Sequence, residues 1–180
     1  MSIGLKRGSV RLEPHDLAWD ASARETISVL KSILGDDAAD VQHVGSTAIP
    51  AIVAKPIVDI AVGLRDFDAM RSHDAALAER GIDFRKEEFG EQLLYVQGTD
   101  EARTHFIHVV KYQGEAWRNY IAFRDYLNAH PDAARRYSDL KLTLAEKYPD
   151  DREAYLAGKA PLIEGLIREA RAWTDSRERT

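Results

Sequence analysis

Residues 57–64 read Ile-Val-Asp-Ile-Ala-Val-Gly-Leu, and this short run decides the fold of the chain. Its Val and Ile content favours a β-strand, in which successive side chains point to opposite faces. One face then has four large apolar side chains, whereas the other has Asp59 among small residues. The apolar set is Val58, Ile60, Val62 and Leu64. The pattern predicts a strand packed on a core on one side, with open space or a cleft at Asp59 on the other.

The segments on either side of this strand predict an α+β protein. Apolar residues three or four apart from Trp19 to Leu34 indicate an amphipathic helix that stops at Gly35. After Trp117 the helical period continues towards the end of the chain. The other predicted elements are strands over 41–44, 82–84, 92–96 and 104–110 and a helix over about 67–80. The fold class is therefore a mixed, mainly antiparallel sheet flanked by helices, followed by a helical C-terminal half.

The length and composition indicate one globular domain. The chain has 180 residues, 44% of them hydrophobic, with no repeat and no stretch typical of an interdomain linker. We expect an α+β core over about 1–112, C-terminal helices over about 113–174 and a frayed polar tail at 175–180. Sequence alone leaves the oligomeric state open.

The net charge and the residue composition exclude several classes of function. The net charge is −5 and there is no long basic block, which argues against a broad nucleic-acid surface but permits a local cationic pocket. No apolar run could span a bilayer and the N-terminus lacks a secretory core, so we expect a cytoplasmic protein without a membrane partner. The absence of cysteine excludes disulfides, zinc thiolates and cysteine nucleophiles. Any metal must be bound by His and carboxylate.

Asp59 is the first candidate for chemistry, because an ionised carboxylate between Val58 and Ile60 needs a partner. One reading is a salt bridge to Lys55 or to an arginine from the helical half. The other is a metal or substrate site.

The turn His43-Val-Gly-Ser-Thr47 favours the second reading. Gly45 permits close backbone approach, Ser46 can cap the following helix, and the free N–H groups of such a turn can bind an anion together with Thr47. His43 either reaches the same cleft or fixes the loop. If the turn bound a phosphate and Asp59 bound a divalent ion beside it, the site would have the minimum set of groups for phosphoryl or nucleotidyl transfer.

The candidates for binding phosphate and balancing its charge also include four basic residues, of which Lys55 lies just before the strand of Asp59. Arg124 and Lys159 interrupt apolar stripes of the predicted C-terminal helices, so each needs an anion. For Arg124 the choices are an internal carboxylate, Asp125 or Asp139, and a bound phosphate; Lys159 could also extend its amine to solvent. Arg103, at the entrance to the strand over 104–110, is placed to clamp a phosphate or is simply exposed.

Several of these stretches resemble the GrpB family. They are His43-Val-Gly-Ser-Thr-Ala-Ile-Pro50, Ala54-Lys-Pro-Ile-Val-Asp-Ile60, Arg103-Thr-His-Phe-Ile-His-Val-Val110, Phe123-Arg-Asp-Tyr-Leu127, Leu140-Lys141 and Asp151-Arg-Glu-Ala-Tyr155 with Lys159 and Pro161. The similarity extends from about Trp19 to Ile167. It implies a fold of the nucleotidyltransferase superfamily of DNA polymerase β type, with Gly-Ser at a helix start followed by a strand with Asp-x-Asp.

The resemblance implies roles for several residues, but one residue of the superfamily pattern is missing from this chain. Gly45, Ser46 and Asp59 match the superfamily pattern, but Ala61 stands where the second Asp is expected, which places ordinary two-metal catalysis in doubt. His105 and His108 are three apart, so on a strand only one of them can join Asp59. The superfamily has a third carboxylate on a comparable strand, which favours His108 as the second metal ligand and catalytic partner.

These residues lead to three hypotheses. The first is a nucleotidyltransferase-like protein that binds a nucleotide or phosphorylated small molecule with Mg²⁺ or Mn²⁺ and transfers a nucleotidyl group. The second is an inactive nucleotide-binding or regulatory module. The third is a metal-dependent hydrolase that uses His43, Asp59 and His108.

Overall fold

A five-stranded sheet forms the centre of the protein in the computed structural model, which describes residues 3–88 and 92–178. The strands are β1 (Ala38–Val44), β2 (Val58–Leu64), β3 (Ile82–Glu88), β4 (Gln92–Gly98) and β5 (Arg103–Lys111). Their order across the sheet is β1-β2-β5-β4-β3. β2 and β5 are parallel, and the other neighbouring pairs are antiparallel. The predicted mixed, mainly antiparallel sheet is confirmed.

The helices lie on both sides of this sheet and make up the C-terminal half. They are α1 (Leu17–Leu34), α2 (Asp74–Ala78), α3 (Glu115–Ala129), α4 (Pro131–Lys147) and α5 (Arg152–Glu178). The helix predicted over 67–80 is a 3₁₀ segment followed by the short α2. Residues 175–178, expected in a frayed tail, continue α5, and 179–180 lie outside the described residues. No helix within the described ranges is both long and apolar enough to cross a membrane.

The alternation in β2 separates two environments, as its sequence predicts. The apolar face is fully buried against α1, where it meets Trp19 and Leu30 in the largest core cluster. On the opposite face Ala61 packs against Trp117 of α3. Gly63 lies so close that an added Cβ would be 2.9 Å from the Trp117 ring. Helix α3 therefore covers the far end of β2 and leaves Asp59, near its start, at the edge of the covered region.

His105 of β5 points into the α1 side of the sheet, away from Asp59. Its ring is buried, with Nε2 at 3.1 Å from Ser22 Oγ and 3.2 Å from Thr26 Oγ1, and Nδ1 at 3.0 Å from Thr104 Oγ1. Burial lowers the pKa of His105 to about 4, because the charged imidazolium would lose its hydration. His105 is thus a neutral core residue that joins α1 to the sheet.

This environment predicts a pH-dependent stability that His105→Gln reduces. The unfolded chain protonates His105 near its ordinary pKa of 6.5, whereas the folded chain resists protonation down to about 4. The free energy of unfolding therefore falls as pH drops through this window, by up to about 3 kcal/mol for this residue. Urea unfolding of both proteins at several pH values from 7 to 4.5 measures the effect. Parallel curves for parent and variant would contradict it.

Candidate functional site

The turn after β1 and the side chain of Asp59 are in direct contact. Val44 pairs with Asp59 across the β1–β2 ladder, and the chain then turns at Gly45, whose φ is 68°. A Cβ added to Gly45 would lie 2.5 Å from Asp59 Oδ2. Glycine is required here twice, for the positive φ and for the close approach. The structure thus brings the glycine-serine turn and the strand carboxylate together, and the Asp59 side chain stays 27% exposed.

His108 completes a pair with Asp59. β2 and β5 run parallel with Ala61 opposite His108, so that His108 and Asp59 share a face of the sheet. His108 Nε2 is 3.0 Å from Asp59 Oδ1. On the other side of the ring, Gln92 Nε2 lies 3.4 Å from Nδ1, and Gln92 Oε1 accepts a hydrogen bond from the Tyr120 hydroxyl. This chain of contacts fits a proton on Nε2 that is donated to the carboxylate.

The position of the second carboxylate of the superfamily is closed. Ala61 shares the face of Asp59 but is fully buried in a cluster with Val44, Val110 and Trp117. A longer acidic side chain there would be directed at an indole ring instead of at an ion. The substitution to alanine is therefore part of the packing between α3 and the sheet.

Three lysines from different parts of the chain converge near Asp59. Lys55 precedes β2, Lys141 lies on α4 and Lys159 on α5, and all three line one cavity with Asp59 and Ser46. Lys141 is only 1% exposed. Its amine donates to Ser46 Oγ at 3.2 Å and to the Val53 carbonyl. Lys55 and Lys159 are half-buried.

The electrostatics of this cluster favour a bound anion. Burial, together with the positive charge of Lys159, lowers the pKa of Lys141 to about 7 and that of Lys55 to about 8. Burial also lowers the pKa of Lys159. The negative charge of Asp59 acts in the opposite direction on all three. One carboxylate does not balance three amines, so a negative ligand would restore their ordinary protonated state.

Two cavities meet at Asp59, Ser46 and Lys159. The first, which we call the lysine cavity, has a volume of about 260 Å³ and is bordered by the three lysines, Arg152 and His108. The second, the aromatic cavity, has about 390 Å³ and lies between the sheet and helices α3 and α5. Its walls include Tyr120, Phe123, Tyr137 and Ile163. The site thus has a cationic end and an apolar end.

Lys141 is the site residue that the sequence analysis did not identify. It lies on the buried stripe of α4, four residues after Tyr137 and three before Leu144, both of which are buried. A cation on a buried stripe is the same signal that identified Arg124 and Lys159. Applied to this helix, it would have found Lys141 as well.

Two residues expected to bind phosphate lie behind the turn instead. His43 is opposite Ile60 in the ladder, so it faces the α1 side of the sheet, away from His108. Its Nε2 is 2.9 Å from Thr47 Oγ1, and Thr47 is itself buried. Burial lowers the pKa of His43. His43 and Thr47 therefore hold the turn from the rear, and the structure does not bring His43, Asp59 and His108 together as the hydrolase hypothesis requires.

Two predicted phosphate-binding arginines also have protein partners. Arg124 donates from Nε to Asp125 at 2.7 Å and from an Nη to the His43 carbonyl at 3.0 Å, which joins α3 to β1. Arg103 pairs with Asp100 at 2.7 Å in the turn before β5. It borders a groove outside the lysine cavity. For Arg124 the structure favours the internal carboxylate over the phosphate.

The residues present do not fit a metal centre built by the chain alone. Asp59 and His108 offer two donors, and the part of the chain that the structure describes contains no group of three or more His, Asp or Glu that could hold a metal ion. Mg²⁺ and Mn²⁺ prefer several oxygen ligands, whereas the nearest further groups here are cationic.

Comparison with known sequences identifies the family. A profile described as GrpB protein matches residues 9–169. The Glutamate-rich protein GrpB of Alkalihalophilus pseudofirmus is 37% identical over 172 residues, or 93% of this chain and 99% of that protein. A protein of Mycolicibacterium paratuberculosis named dephospho-CoA kinase is 28% identical over 96% of this chain. This chain spans only about half of that relative, 48% of its length.

Solved structures agree with the fold. The crystal structure of the conserved protein GrpB from Enterococcus faecalis has a TM-score of 0.84 at 28% identity, covering 91% of this chain and 99% of that one. The Cid1 poly(U) polymerase with bound Mg 3′-dATP has a TM-score of 0.55 at 14% identity, covering 82% and 49%. The latter similarity shows a nucleotidyltransferase-like fold. Because the profile spans most of the sequence and the Alkalihalophilus protein is similar along almost its whole length, the chain belongs to the GrpB family.

Proposed function

We propose that this protein binds a nucleotide or another phosphorylated small molecule, with the phosphates in the lysine cavity and the remainder in the aromatic cavity. The observation on which this rests is the convergence of Lys55, Lys141 and Lys159 on the pair of Asp59 and His108. A cation that is removed from water needs an anionic partner. Among the described residues that line this cavity, Asp59 is the carboxylate, and its one negative charge does not balance three lysines.

The sizes of the cavities support a ligand with two chemically different parts. About 260 Å³ is below the usual range for a whole small-molecule ligand but leaves room for phosphates. The adjoining 390 Å³ offers Tyr120 and Phe123, rings on which a planar base can stack. Cid1 poly(U) polymerase, which has a similar fold, has been solved with bound MgGTP and, as a mutant, with bound MgATP, and one relative is named dephospho-CoA kinase. These names are consistent with the proposed ligand class.

The expected roles of the predicted residues follow from this placement. Gly45 and Ser46 approach the ligand from the turn, Lys55 and Lys159 bind phosphate, and Lys141 joins them. Any Mg²⁺ or Mn²⁺ would arrive on the ligand, since the donors within residues 3–88 and 92–178 do not form a metal centre.

Transfer of the nucleotidyl group is a second candidate function, favoured by the contact between Asp59 and His108. Asp59 is partly exposed and could accept the proton of an acceptor hydroxyl or amine, while His108 holds the carboxylate in place. The deprotonated acceptor would attack the α-phosphorus of a nucleoside triphosphate and release pyrophosphate. Incubation with nucleoside triphosphates and a cell extract, followed by mass spectrometry, would distinguish this enzyme from a binding module that yields no product.

Loss of the Lys141 charge should weaken nucleotide binding. Lys141→Met keeps the length and apolar stem of the side chain but removes one charge-assisted contact, worth about 2 kcal/mol or roughly thirtyfold in Kd. Isothermal titration calorimetry with ATP, GTP and UTP in the presence of Mg²⁺ measures the change. Lys147→Met, an exposed site on the same helix, serves as the control and should bind like the parent. Equal affinity of Lys141→Met and Lys147→Met would contradict the site.

Gly45→Ala should impair binding beyond its effect on stability. Gly45 and Gly35 both have positive φ, so alanine at either costs about 1–3 kcal/mol of folding free energy. Only at Gly45 would the new Cβ collide with Asp59, since Gly35 has open space around it. The collision must separate Ser46 from Asp59. Thermal unfolding should show a loss of stability for both variants, larger for Gly45→Ala because of the collision, while calorimetry shows a lower nucleotide affinity for Gly45→Ala alone. A normal affinity for a folded Gly45→Ala protein would exclude a role for the turn.

A further inference from the structure

The lysine cavity is lined by Asp59, the residue to which the family resemblance assigns a divalent ion. The second carboxylate position is Ala61, sealed beneath Trp117. Around Asp59 the chain has placed amines instead, with Lys141 at hydrogen-bond distance from Ser46 of the turn after β1. Metal ions and lysines can do the same electrostatic work on a phosphate chain, because both neutralise its negative oxygens.

We propose that Lys55, Lys141 and Lys159 neutralise a chain of two or three phosphates directly, so that the site binds it without a divalent ion. This inference rests on the proposed function and specifies how the ligand is held. It is separate from the question of whether the protein catalyses transfer.

The amines are held in place before any ligand arrives. Lys141 Nζ is fixed by Ser46 Oγ and the Val53 carbonyl, and it lies 4.5 Å from the centre of the Tyr137 ring. Lys55 and Lys159 both lie against the ring of Tyr155, at 5.5 and 5.0 Å from its centre. Because these contacts restrict long flexible side chains, less conformational entropy is lost when phosphate binds.

Arg152 adds a fourth cation to the same cavity. Among the described residues that line the cavity, Asp59 is the one carboxylate that opposes these four cations, and its Oδ1 is already engaged by His108. The cavity therefore has an excess of positive charge in a protein whose net charge is −5. Phosphate oxygens match this excess, whereas a free divalent cation would be repelled.

Asp59 distinguishes the two modes of binding by the sign of its effect. If a divalent ion bridged the carboxylate and the phosphates, removing the charge of Asp59 would weaken binding. If the lysines bind the phosphates directly, Asp59 is a like charge beside the ligand. Asp59 also raises the pKa of the three lysines, so the comparison is made at about pH 6, where they stay protonated without it. Neutralising Asp59 should then tighten binding, by about three- to tenfold for a charge several ångströms away in a partly solvated site.

The experiment is calorimetry of the full chain with two probes, inorganic tripolyphosphate and ATP, each in EDTA and in excess Mg²⁺. The proteins are the parent, Asp59→Asn and the control Asp139→Asn, which removes an equal charge from the exposed face of α4. Circular dichroism and thermal unfolding confirm that each variant is folded. Should Asp59→Asn not fold, the comparison of EDTA with Mg²⁺ on the parent decides alone.

We expect tripolyphosphate and ATP to bind the parent in EDTA with a Kd within about threefold of that in Mg²⁺, and Asp59→Asn, unlike Asp139→Asn, to bind more tightly. Binding at least about tenfold tighter in Mg²⁺, or weaker binding by folded Asp59→Asn, would overturn the inference and leave the proposed function intact. Absence of binding in both conditions, including with the GTP and UTP used above, would overturn both.

Discussion

The close contact between the Gly45 backbone and the Asp59 carboxylate sets the geometry on which the site depends. It follows from the antiparallel pairing of β1 with β2, which places Val44 opposite Asp59 and makes the chain turn immediately beside the carboxyl group. Only glycine permits that approach, since any Cβ would overlap Asp59 Oδ2. The turn also places Ser46 Oγ where it accepts a hydrogen bond from Lys141 Nζ. One backbone position thus couples the edge of the sheet to helix α4.

The same strand explains why the site lies where it does. One face of β2 is fully apolar and buried against α1, so every functional group on this strand must be on the other face. There α3 covers Ala61 and Gly63 with Trp117, which leaves room for polar chemistry only at Asp59. The parallel neighbour β5 then contributes His108, because the register places alternate residues of the two strands on the same side. On this face of β2, Ala61 and Gly63 are therefore packing positions, and Asp59 is the position open to ligand.

Much of this arrangement is predictable from local sequence patterns, and the remainder depends on register and tertiary packing. Alternation in residues 57–64 correctly gives the two faces of β2, and the helical stripes locate α1 and the C-terminal helices. The face of His43 is set by its pairing with Ile60, which the sequence does not reveal. Likewise, Pro161 lies inside α5, although proline disfavours the interior of a helix. The position of Lys141 on the buried stripe of α4 could have been recognised from the sequence. Which groups its amine contacts depends on how α4 packs against the turn after β1.

The origin of the three lysines links binding to the assembly of the fold. Lys55 belongs to the loop before β2, Lys141 to α4 and Lys159 to α5, so the cavity exists only when the helical half is packed on the sheet. Bringing these amines together opposes that packing, because each loses hydration and repels the others. The apolar contacts of Ile49 and Ile52 with α4 offset this cost in the free protein. A phosphate chain would convert the repulsion into attraction, and its binding energy would add to the stability of the whole interface. We therefore expect ligand binding to strengthen the packing of the C-terminal helices on the sheet, because the same three lysine charges affect both.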